Sequence, residues 1–143
     1  MNIVITDSGL GGLSVCAQLI YLLKNYSVPG NSDLPSYDIK ITYVNAVPSN
    51  ERGYNTMSGK QEQIETFEKI ISNTVRLISP DYIFVACGTL SVLLNQIAPP
   101  CDKSVKIEGI VSIGIQLLVD SLQKNPRAKA IICLLYTSPS PRD

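Results

Sequence analysis

The sequence contains no histidine. That absence excludes Ser-His-Asp and Cys-His nucleophilic catalysis within this chain. It also removes the commonest transition-metal ligand. The four cysteines, at positions 16, 87, 101 and 133, match neither a zinc-site spacing nor a Cys-x-x-Cys redox pair. No metal site is therefore expected. Basic residues are scarce and unclustered: 12 Lys and Arg cancel 12 Asp and Glu. A nucleic acid or an anionic membrane surface thus finds no electrostatic support. No apolar run approaches the roughly 20 residues that cross a bilayer. The start, Met1 to Asp7, has no basic segment and reaches a carboxylate too early for a secretory signal. The expectation is a cytoplasmic protein with reduced thiols and no membrane or nucleic-acid partner.

The chain is otherwise ordinary for a globular domain, with 45% hydrophobic and 17% charged residues over 143 positions, enough for a core. Ile3–Thr6 reads as a short buried strand, followed by glycines and an apolar helix over Leu13–Asn25. Ser27–Ser36 is a Pro/Gly/Ser/Asn-rich loop. Ile39, Ile41 and Tyr43 alternate within a strand at Asp38–Val44. Asn45–Met57 is polar and long for an α/β connection, and such loops often bind ligands. Ser58 and Gln61 fit a capping box ahead of Ile64, Phe67, Ile71, Val75 and Ile78 at helical spacing. Tyr82–Ala86 is a continuous apolar run, as in a central parallel strand. A helix over Leu90–Ile97 stops at Pro99-Pro100. Val105–Ile110, 113–124 and Ala128–Ile132 then read as strand, helix and strand. There is no internal repeat. This order predicts an α/β fold, a doubly wound, mostly parallel sheet with helices on both faces.

Two turns carry the chemistry. Asp7-Ser8-Gly9-Leu10-Gly11-Gly12 follows the first strand and opens the first helix. Its glycines permit close ligand approach, and free N–H groups at the helix start attract an anion. Asp7 is placed to orient a proton-transferring group or an ammonium. The plainer reading is a tight turn in which Asp7 and Ser8 only cap the helix. Ser14 stands where a dinucleotide fingerprint needs glycine, and no Gly-Lys-Ser/Thr follows as in a P-loop. Ala86-Cys87-Gly88-Thr89 ends the third strand. A helix N-terminus there favours the thiolate of Cys87, which then serves as a base toward a carbon acid. The plainer reading is a small buried hydrophobe. Cys16 reads as core and Cys101 as an incidental loop residue. In an open α/β sheet both turns converge on one crevice. In the Asn45–Met57 loop, Asn45, Asn50, Glu51, Arg52 and Tyr54 are candidate contacts, and Arg52 is suited to a carboxylate. A solvated loop is the plainer reading for each.

These motifs resemble those of the aspartate/glutamate racemase superfamily, most closely its glutamate racemase branch. Asp7-Ser8-Gly9-Leu10-Gly11-Gly12-Leu13-Ser14-Val15 is similar, nearly in full, to the family's first motif. Ala86-Cys87-Gly88-Thr89 resembles its Ala-Cys-Asn-Thr, and Gly109-Ile110-Val111 its Gly-Val-Ile segment. The resemblance implies a cofactor-independent isomerase of two α/β domains, with two cysteines on opposite faces of the substrate α-carbon. It makes Cys87 the first thiolate base and Asp7 its assistant, with Ser8, Thr89, Gly88, Asn45 and Tyr54 against an amino-acid substrate. It implies D-glutamate supply for the bacterial cell wall (peptidoglycan) and allows a homodimer of the full-length protein. Gly88 replaces an asparagine, and Asn45 and Gly53 depart from the family's Gly-Asp-Thr…Pro-Tyr-Gly loop. An aspartate, hydantoin or maleate-type substrate, or a non-catalytic small-anion module, therefore stays open. Residues 133–143 resemble a translated sequencing adapter and are read as a non-native tail on a shortened gene, the alternative being a native Ser/Pro-rich tail. The expected division is a first, incomplete domain at 1–103, the start of a second at 104–132, and the tail. The family's second cysteine is expected beyond Ile132.

Overall fold

The first strand lies in the interior of the sheet, between partners that arrive about 40 and 80 residues later. The computed structural model describes residues 1–25, 38–47, 53–99, 104–125, 127 and 129. In chain order these form β1 (Asn2–Asp7), α1 (Gly11–Asn25), β2 (Lys40–Asn45), α2 (Lys60–Ile78), β3 (Tyr82–Val85), α3 (Gly88–Leu93), β4 (Lys106–Gly109) and α4 (Ile110–Lys124). Short 3-10 turns at Tyr54–Thr56 and Leu94–Gln96 precede α2 and extend α3. The sheet is parallel throughout, in the order β2-β1-β3-β4. The expected α/β class and parallel sheet are present. The expected strand at Ala128–Ile132, the loop at Ser27–Ser36, Asn50, Glu51, Arg52, Cys101, Cys133 and the tail lie outside the described residues. So does the stretch 100–103, where the division between domains was expected.

Register decides which side chains share a face. Val4, Thr6, Ile83 and Val85 point one way, and Ile3, Ile5, Tyr43 and Phe84 the other. The Val4 face meets Phe67 and Ile71 of α2 and Leu90 and Leu93 of α3 in one core cluster. Phe67, Ile83, Val85 and Leu90 are fully enclosed there. Each such side chain contributes about 1.5–3 kcal/mol of burial. On the opposite face α1 crosses β1 and β2, with the Gly12 backbone against Asp7 and the Tyr43 ring. Helices thus cover both faces, as expected of parallel strands.

The caps differ in detail from the sequence pattern. The expected Ser58–Gln61 capping box is replaced by Ser58 and Glu62. The Glu62 carboxylate accepts both the Ser58 N–H (2.7 Å) and its hydroxyl (2.6 Å). The helix begins at Lys60 with Gly59 as its cap, so the reaching carboxylate falls one position later. Cys16 is buried on α1, as read from the sequence. Beside β4, which pairs with β3 alone among the described residues, a groove of about 550 Å³ runs between α3 and α4, lined by Leu94, Ile97, Val105, Ile107 and Ile115. Glu108 is its one ionisable lining residue. Cys87 is not among the residues that line it.

Candidate functional site

The C-terminal end of β1 is clasped on both sides. The Thr6 carbonyl accepts the Ala86 N–H at 2.8 Å, and the Asp7 carbonyl accepts the Ala46 N–H at 2.7 Å. These bonds carry the ladder one residue past β3 and β2. They set the Asp7–Gly12 turn beside the Cys87 turn and the start of the 45–57 loop. The junction between β1 and β3 is also where the winding reverses: the chain leaves β1 for β2 on one side and returns to β3 on the other. Ligands of open α/β sheets bind outside the strand ends at such a point.

Here the structure brings two predicted residues into contact. Ser8 Oγ lies 3.1 Å from Cys87 Sγ, a hydrogen bond across 79 positions of sequence. Both are partly exposed. Cys87 is the N-cap residue of α3 in extended backbone, and its side chain makes no capping bond. The sulfur is therefore left to Ser8.

Asp7 has the capping role weighed as the plainer reading. Its Oδ2 accepts the Gly12 N–H at 2.7 Å and the residue is buried. The helix-start donor expected to attract an external anion is thereby occupied by the chain's own carboxylate. Among the described residues Asp7 makes no hydrogen bond to Cys87. Gly12 is required at this crossing, because a Cβ there would lie 2.9 Å from Asp7 Cβ, 2.9 Å from Tyr43 Cε2 and 3.6 Å from Ala86 Cβ.

The remaining predicted contacts divide. Gly88, the first residue of α3, is exposed, with nothing within 4 Å of where a Cβ would stand. Thr89 is half-buried one residue on. Asn45 pairs in register with Asp7, but its side chain is exposed and accepts the Val47 N–H at 3.0 Å, turned into its own loop. Tyr54 sits in the core cluster at 4% exposure. Its backbone carbonyl accepts Gln63 Nε2 at 2.8 Å, while its hydroxyl has no partner among the described residues. Burial first, and then the nearby Cys87, push the Tyr54 phenol well up. A buried hydroxyl without a partner is uncommon.

One residue of the site was read only as part of a strand pattern. The Tyr43 hydroxyl donates to the Gly9 carbonyl, inside the first motif. Burial, then Asp7, Cys16 and Cys87, push its phenol up, so it stays a donor through neutral pH. Its signal in the sequence was its position: a tyrosine two residues before the strand end that flanks the glycine turn. Among the described residues no cluster of three or more Cys, Asp or Glu side chains is arranged for a metal ion, and no helix is long and apolar enough to cross a membrane. No family model, curated protein or solved structure matches the chain.

Proposed function

We propose that this chain carries one half-site of a cofactor-independent amino-acid racemase of the aspartate/glutamate racemase type. The observation that supports the reading is the 3.1 Å contact of Ser8 Oγ with Cys87 Sγ at the reversal of the sheet. In this reading the Cys87 thiolate removes the substrate α-proton. An S–H bond forms as the Cα–H bond breaks, and the electron pair stays on the α-carbon, delocalised into the carboxylate. Ser8 donates to the sulfur in its charged form. A proton delivered to the opposite face completes the inversion. The resemblance assigns that second acid to a second cysteine, on the opposite face of the substrate. The carbanion is costly, so the site must present donors in advance and exclude water.

The half-buried Thr89 and the backbone at Gly88 are the groups available to grip a small α-amino acid. Asp7 acts on the reaction through the turn it caps. The substrate class extends to dicarboxylic amino acids and related carbon acids, since Gly88 and Asn45 depart from the glutamate pattern. The reading places the protein in the cytoplasm. A small-anion module draws less support, because Asp7 already fills the Gly12 N–H.

The test is α-proton exchange in D₂O with each enantiomer of glutamate and of aspartate, followed by proton NMR. With Cys87 as the sole working thiol, exchange is expected with retention of configuration, and Cys87→Ala abolishes it. Saturable binding of these acids with no exchange, in a chain whose Cys87 is reduced, overturns the reading in favour of the binding module.

A further inference from the structure

Among the described residues, the Ser8 side chain makes no hydrogen bond other than that to Cys87. What aims it is therefore the backbone of the Asp7–Gly12 turn. That turn is held by the Ala46 N–H on the Asp7 carbonyl, the Leu13 N–H on the Leu10 carbonyl and the Ser14 hydroxyl on the Gly11 carbonyl, and by two further ties. One tie is internal, the Gly12 N–H to Asp7 Oδ2. The other comes from 34 positions away, the Tyr43 hydroxyl to the Gly9 carbonyl, and Gly9 is the residue next to Ser8.

We propose that Tyr43 is a positioning residue of the Ser8–Cys87 pair, its hydroxyl holding the Gly9 carbonyl so that Ser8 Oγ reaches Cys87 Sγ. The inference rests on reading that pair as the reactive centre. Three features of the structure carry it. Register pairs Tyr43 with Ile5, which puts its ring on the side of the sheet that α1 covers, beneath the turn. The ring packs against the Gly12 backbone so closely that no Cβ fits between them, and this fixes the direction of the phenol oxygen. The phenol is partly buried, where a lost hydrogen bond is not replaced in full by water. The groups facing Tyr43 are Asp7 from β1, Cys16 from α1 and Cys87 from the N-cap of α3.

The prediction is read on the thiol itself. Iodoacetamide alkylation of Cys87 in the full chain is followed against pH by mass spectrometry of the Cys87 peptide. The proteins are wild type, Tyr43→Phe, Ser8→Ala and the double variant. Ser8→Ala is expected to slow Cys87 alkylation near neutral pH by roughly 2–10-fold, the loss of one hydrogen bond. Tyr43→Phe keeps the ring and removes the tie, so it slows alkylation in the same direction. The double variant shows no more than Ser8→Ala alone, because Tyr43 acts through Ser8. Cys16, buried on α1, is the internal control and stays protected. The proposal fails if Tyr43→Phe leaves the Cys87 profile at wild type or if the two effects multiply. It also fails if Cys16 becomes reactive together with Cys87, which marks a structural role only. A chain with this coupling but no α-proton exchange keeps the role of Tyr43 and loses the racemase reading. Exchange without the coupling does the reverse.

Discussion

Gly109 ends β4 and caps α4, and the structure leaves no room there for one more carbon. A Cβ at Gly109 would stand 2.0 Å from Ser91 Oγ, 2.9 Å from Ser91 Cβ and 3.0 Å from Leu94 Cδ1. Both Gly109 and Ser91 are buried. The Ser91 oxygen accepts the Val111 N–H at 3.1 Å, one of the first-turn donors that α4 cannot satisfy internally. Gly109→Ala therefore rotates Ser91 away from Val111 as well as crowding α3. Overpacking costs about 1–3 kcal/mol, and the stranded N–H adds about 1 kcal/mol. The Gly109 φ of −108° suits alanine, so backbone strain adds nothing. The expected loss is about 2–4 kcal/mol in urea unfolding, or roughly 6–12 °C in Tm at about 3 °C per kcal/mol. Ser91→Ala alone loses the cap bond, about 1 kcal/mol. In the double variant the 2.0 Å clash is gone and the 2.9 Å Cβ contact remains. The two changes together thus cost less than their sum, by about 1–2 kcal/mol. Additive losses, or a Gly109→Ala midpoint equal to wild type, refute this packing.

Tyr54→Phe removes a buried hydroxyl that has no partner among the described residues. It is expected to stabilise the protein by about 1 kcal/mol in urea, and a destabilised variant contradicts this. Gly12→Ala brings a Cβ to 2.9 Å from Asp7 Cβ and from Tyr43 Cε2. Crowding of about 1–3 kcal/mol exceeds the helix-propensity gain of about 1 kcal/mol, so the urea midpoint falls, and a rise would refute the crossing. Tyr82 donates to Glu108; burial first, then this bond, push its phenol from 10.0 up to about 12. The Tyr82 bond and Lys106 at 3.1 Å hold the Glu108 carboxyl below its usual range. Tyr82 thus contributes stability that is full below pH 10.0 and fades as pH rises through about 12. Glu108 contributes above its ordinary carboxylate value of 4.5, and its share fades on acidification. Glu108→Gln lowers the Tyr82 phenolate midpoint toward 10.0, read by phenolate absorbance, and an unmoved midpoint counts against the pair.

Much of this fold could be read locally. The run Tyr82–Ala86, the periodicity of Phe67 and Ile71, and the glycines after Asp7 each report on their own few neighbours. Parallel strands joined by helices then follow from order alone. The meeting of the Asp7–Gly12 turn with the Cys87 turn was legible, because both follow strands that the topology sets side by side; that Ser8 rather than Asp7 reaches the sulfur was not, since Asp7 turns back to the Gly12 N–H. Tyr43 was not, since its bond to Gly9 depends on register between strands 34 positions apart. Gly109 likewise meets Ser91 only in three dimensions. The Ser58 cap was found with the wrong partner, because Gly59 moves the helix start by one residue and passes the role from Gln61 to Glu62.

The placement of β1 sets a timetable for the newborn chain. Its outer edges wait for Lys40 on one side and Tyr82 on the other, and each meeting requires closing a long loop first. Until residue 85 leaves the ribosome, the most sheltered strand of the finished sheet has at most one neighbour. At about 5–20 residues per second, that leaves several seconds in which Val4 and Ile5 are within reach of a chaperone or a second nascent chain.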